Sequence, residues 1–131
     1  MKTGAAPSAA DLSLVLQITP TRVVSGLDRL HDRHLVVLDP VTRDLVMAGP
    51  FSAVPTGFKV VSGARQWWAN CIWDALGVAS LLRLGGRIET RCGDCDRPMT
   101  VFTEGGRLAE GDGITHLALP AAEWWEDIGF T

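Results

Sequence analysis

Cys71 and Asp74 stand three residues apart in WWANCIWDALG. On a helix that spacing puts a thiol and a carboxyl on one face, with Cβ atoms about 5–6 Å apart. Both groups can then touch one small ligand. A thiol near a helix start is expected to have a lowered pKa, because the unpaired N–H groups and the dipole favour its anion. Asp74 lies among Trp67, Trp68 and Trp73, and a carboxyl desolvated there would keep its proton near neutral pH. A nucleophilic thiolate beside a poised acid is a usable pair. The bland alternative is a cysteine filling the core, a solvated aspartate and three tryptophans that merely pack. C-x-x-D alone does not separate the two.

The other two cysteines form CGDC at 92–95, followed by Arg97-Pro98. Placed between two strands, Cys92 and Cys95 read as a knuckle-like half of a metal site. Zinc needs two further ligands, and His31, His34 and His116 are scattered along the chain. A thioredoxin-like redox role wants C-x-x-C at a helix start, which this one lacks. Two ordinary thiols in a turn, a soft-metal reservoir and a disulfide formed on oxidation all remain open.

The elements that must position these groups follow from pattern. Residues 9–17 read as a short helix. Thr19-Pro20 is a cap followed by proline at the first helical position. Val23, Val24, Leu27 and Leu30 then share one helical face. HLVVLD (34–39) and LVMAG (45–49) are β-rich runs around a turn, so the start outlines a short winged helix. PFSAVPTGF (50–58) reads as a linker or extended crossing. A strand over 59–62 leads to Gly63, and a helix is expected from about Gln66 to Leu84, stopped by Gly85-Gly86. RIETR (87–91), MTVFT (99–103) and ITHLAL (114–119) read as three strands of a small sheet, with His116 packed mid-strand. Pro120 begins a last short helix, which Trp124 and Trp125 pin to the core. The expected class is α+β: a winged-helix-like module over 1–49, then a core domain over 50–131 with a small mixed or antiparallel sheet packed with helices.

The 131 residues, 47% hydrophobic and 21% charged, describe a globular chain long enough to bury a core without metal or disulfide staples. A net charge of -3 gives no pull towards nucleic acid or anionic lipid. Arg22 and Arg29 on the second helix are interleaved with Asp28 and Asp32, which disfavours DNA. An odd count of three cysteines does not suit a secreted disulfide framework. No apolar stretch reaches the roughly 20 residues of a membrane span. A reducing cytoplasm with free thiols is the expected setting.

From about Leu16 to Thr131 the chain resembles the alkylmercury lyase (organomercurial lyase) family. The likeness runs through ITPTRVVSGLDRLHDRHLVVLD, MAGPFSAVPTGFKV, WWANCIWDALG and the terminal AAEWWEDIGFT. The resemblance implies that Cys71 is the metal-binding nucleophile and Asp74 the proton donor in cleavage of a carbon–mercury bond. It also implies an organomercurial substrate, a low-molecular-weight thiol as co-substrate, Hg(II) as product and no required cofactor. In the family a second catalytic cysteine follows a segment like WWEDIGFT by a residue or two. None of the three cysteines here falls there, so the chain reads as a truncated or divergent member. A non-catalytic soft-metal (Hg or Cu) binder or sensor on the same scaffold is the alternative, and a repurposed thiol-dependent enzyme of specialised metabolism is a third.

Overall fold

The first helices begin where the sequence supplies their caps. In the computed structural model, which describes residues 6–117, 119–126 and 128, α1 (Ala9–Leu16) opens on Ser8. The Ser8 hydroxyl accepts the Asp11 N–H at 3.1 Å, and the Asp11 carboxylate takes the Ser8 N–H at 2.9 Å. This reciprocal box satisfies two donors that the first turn would otherwise leave bare. α2 (Pro20–Asp32) opens on Thr19, whose side chain accepts the Arg22 N–H, with Pro20 at its first position. A cap of this kind is worth about 1 kcal/mol. α2 buries Val23 and leans on β1 (Val36–Leu38).

The rest is organised by one sheet. To β1 the chain adds β2 (Leu45–Ala48), β3 (Phe51–Ser52), β4 (Phe58–Ser62), β5 (Arg65–Ala69), β6 (Gly86–Arg91), β7 (Pro98–Glu104) and β8 (Arg107–Glu110). The spatial order is β1-β2-β3-β5-β4-β6-β7-β8. Every pairing is antiparallel, so the mixed option is set aside. α3 (Ile72–Leu81) lies against this sheet and buries Ala75, Val78 and Ala79. Ala75 and Val78 join Val60, Ala69 and Ile88 from the strands, with Phe51, Phe58 and Trp67 packed around them. The two helices and hairpin at the start therefore extend the sheet, because β2 pairs with β3.

Four expectations change. The stretch 50–58, read as a linker or extended crossing, contains β3, in which Phe51 is opposite Ala48 on one side and Ala69 on the other. The helix expected from Gln66 begins only at Ile72, because residues 65–69 form a strand. Gly63, at φ +56°, supplies the left-handed position that a two-residue hairpin needs, and it folds Arg65–Ala69 back on β4. Trp67 and Trp68 then fit a pleated, half-buried surface better than a helix. The strand expected over 114–119 is replaced by β8, because the Gly105-Gly106 turn returns the chain at once and Arg107 pairs with Glu104. Residues 114–117 belong to no strand or helix, and Ala118 lies outside the described residues. The last expected helix is a single 3-10 turn, Ala121–Glu123. Asp127 and Gly129 also fall outside.

Gly86 is the tightest backbone position. Its φ is +159°, and a Cβ there would meet the Val61 carbonyl oxygen at 2.1 Å. Gly86→Ala is therefore expected to separate β6 from β4 and destabilise the chain by about 1–3 kcal/mol. A thermal melt of the variant, set beside the wild type, checks this.

Candidate functional site

Cys71 is positioned by the end of β5. The Thr56 hydroxyl donates to the Ala69 carbonyl at 2.5 Å and holds that strand end against the loop before β4. The chain then turns through Asn70, and Cys71 adopts an extended conformation (φ -148°, ψ -178°) as the cap of α3. Its sulfur folds over the first turn and accepts the Asp74 N–H at 3.4 Å. Cys71 thus caps the helix instead of lying within it, and Asp74 sits in the first turn. The structure does bring the two residues together.

Asn70 organises the pair. Its Nδ2 donates to the Asp74 Oδ2 at 3.0 Å and to the Gly49 carbonyl at 3.0 Å. One amide therefore ties the carboxyl to the turn between β2 and β3. The Asn70 Oδ1 is buried and has no hydrogen-bond partner among the described residues. Of the tryptophans, Trp67 packs on the core, the Lys59 ammonium lies 5.9 Å over Trp68, and Trp73 is 63% exposed. Asp74 is half-buried.

The expected lowering of the Cys71 pKa is not found. Burial pushes the thiol above its ordinary value and the charge of the nearby Asp74 carboxyl adds to that, while the N–H groups of Asp74 and Trp73 pull the other way. Desolvation of a half-buried sulfur outweighs the helix start here. At neutral pH Cys71 is mainly the thiol, and binding a soft metal would displace its proton. Alkylation of Cys71 by iodoacetamide should therefore rise with pH along a curve displaced upward from that of a free thiol. A Cys92→Ser, Cys95→Ser background isolates the signal. Because the folded value is raised, the associated stability is present below the free-thiol pKa and is lost as pH climbs through the folded one.

Cys71 and Asn70 face a half-open, largely apolar cavity of about 380 Å³. Met47 of β2 and Phe58 of β4 form part of its wall, and His116 and Trp124 another part. Asp74 is not on that wall; it stands behind Asn70. The segment carrying His116 is held by the Trp124 Nε1 donating to the Leu119 carbonyl at 3.0 Å, and by Trp125 stacked on His34 at 4.2 Å. His116 is exposed, not packed mid-strand. Gly111, Gly113 and Pro120 lie around it, and glycine and proline disfavour a regular strand there.

Cys92 and Cys95 occupy the turn between β6 and β7, apart from the cavity wall. All three cysteines are free thiols. The N–H groups of Cys95 and Asp94, with the Cys95 thiol, donate to the Cys92 sulfur and hold its pKa below the ordinary value. Among the described residues no three His, Cys, Asp or Glu side chains cluster closely enough to hold a metal ion. Nor is any helix among them long and apolar enough to cross a membrane.

A free thiol capping a helix beside an apolar cavity, on an antiparallel sheet, makes a candidate thiol-centred site. The alkylmercury lyase family model matches residues 51–130, more than half of the chain. The chain belongs to the alkylmercury lyase family. Among solved structures it is similar to the mercury-bound form of MerB2, with 25% identity and a TM-score of 0.66 over 81% of this chain. It spans about half, 51%, of that protein's length. No match is found among curated proteins.

Proposed function

We propose that this protein is an organomercurial-lyase-like enzyme in which Cys71 is the nucleophile and Asp74 the proton donor. The observation that carries this is the placement of Cys71: a free thiol at a helix start, open to an apolar cavity, one turn from a carboxyl, in a member of this family. Cys71 loses its proton and its sulfur bonds to the mercury of R–Hg⁺, since thiolate is the preferred ligand of a soft ion. Asp74 takes up the proton that Cys71 releases and then delivers it to the carbon. The carbon–mercury electron pair forms the new C–H bond, R–H departs, and mercury stays on sulfur as Hg(II). A low-molecular-weight thiol supplies the second sulfur and carries the metal away. The apolar lining suits alkyl and aryl groups.

We also read residues 1–49 as a winged-helix-like module and 50–131 as the core, in a cytoplasmic protein whose surrounding thiol pool is the co-substrate. A second reading has one observation in its favour. Asp74 stands behind Asn70 instead of on the cavity wall, which fits a soft-metal binder or sensor that holds mercury or copper at Cys71 without cleaving a bond. Incubation with phenylmercury and excess thiol separates the two. Benzene released above a protein-free control supports the lyase, whereas retained mercury with no benzene leaves the binder.

A further inference from the structure

The turn between β6 and β7 is closed unusually firmly for an exposed loop. Arg91 and Pro98 are its last paired residues. Inside it the Cys92 N–H donates to the Arg97 carbonyl at 2.8 Å, and the Asp96 N–H to the Cys92 carbonyl at 2.9 Å. Asp96 takes the left-handed conformation, φ +56°, and its carboxylate receives both the Nε and Nη2 of Arg91 at 2.6 and 2.9 Å. This fork fixes the backbone on which both cysteines sit. Cys92 and Cys95 stand three positions apart within this closed turn, so both thiols are carried on one fixed stretch of backbone. Cys95 is exposed and Cys92 half-buried, leaving the pair open to solvent.

We propose that Cys92 and Cys95 form a second metal site, a two-coordinate bis-thiolate for a soft cation of the mercury(II) or copper(I) kind. The donor set selects the ion. Zinc takes four ligands in a structural site, and among the described residues no third His, Cys, Asp or Glu completes this pair. Soft cations are satisfied by thiolate sulfur. On binding, each thiol releases its proton to solvent and two metal–sulfur bonds form, with no change of oxidation state. The site lies on the same end of the sheet as the Cys71 cavity, since β6 is the direct neighbour of β4 and Phe58 of β4 is on the cavity wall. It stands independently of the lyase reading.

The test titrates the Cys71→Ser chain, reduced, with mercuric chloride in excess glutathione, followed by gel filtration and metal analysis. One mercury per chain is expected, with a sulfur-to-mercury absorption band in the ultraviolet. Adding Cys95→Ser is expected to weaken retention by about 10²-fold or more, because the second thiol acts at high effective concentration. Adding Cys92→Ser as well removes it. Loss of all mercury from Cys71→Ser alone, or equal retention after both knuckle substitutions, overturns the proposal. Zinc held as firmly as mercury against a chelator overturns the two-coordinate assignment.

Discussion

Cys71→Ser is expected to lower benzene release from phenylmercury to the level of thiol alone, a loss on the order of 10³-fold or more, the scale on which removing a nucleophile acts. The substitution is unusually clean. Cys71 caps α3 by accepting the Asp74 N–H, and serine is among the best residues for that task. The helix start therefore survives and α3 is no less stable. What disappears is the soft, ionisable sulfur, because a hydroxyl is a poor ligand for mercury and does not ionise near neutral pH. A melting temperature at or above the wild-type value, together with lost cleavage, assigns the effect to chemistry. Unchanged benzene release from the serine variant ends the enzymatic reading.

Asp74→Asn is expected to lower cleavage by roughly 10²–10⁴-fold, the usual contribution of a positioned general acid, while leaving mercury uptake by Cys71 in place. Asparagine keeps an oxygen that can accept the Asn70 amide, so the link through Asn70 to the Gly49 carbonyl is retained. Only the transferable proton is removed. The measurement is paired: benzene by headspace analysis, and Hg(II) retention in a Cys92→Ser, Cys95→Ser background. If cleavage and retention fall together, Asp74 supports the metal site and is not the donor. If neither falls, the proton comes from elsewhere.

Much of this was legible in residue order. Thr19-Pro20 specified the start of α2, because a side-chain acceptor followed by a residue with no N–H leaves little choice. The Cys71–Asp74 pairing was legible too, though its form was not. Spacing placed both on a helix face, whereas Cys71 is the cap with its sulfur turned onto the first turn. The difference came from Trp67 and Trp68, whose apolar bulk reads as a helix face in the sequence but fits the half-buried strand that forms. Gly63 decides for the strand by folding the chain back on β4. Burial of the thiol, and so the direction of its pKa, depends on a cavity assembled from distant segments, which no local pattern contains. Asn70 was invisible for the same reason: its two acceptors are four and twenty-one residues away.

The hook from Asn70 to Gly49 ties the matched stretch to residues that precede it. Gly49, together with the wall residues Val46 and Met47, precedes the stretch from 51 to 130 that matches the family. Part of the chamber wall therefore comes from the opening hairpin, outside the matched stretch, while the sulfur and its cap lie within it. For the same reason a graft that exchanged those leading residues for another protein's would reshape the chamber and loosen the amide that holds the Asp74 carboxyl, without touching Cys71 or Asp74.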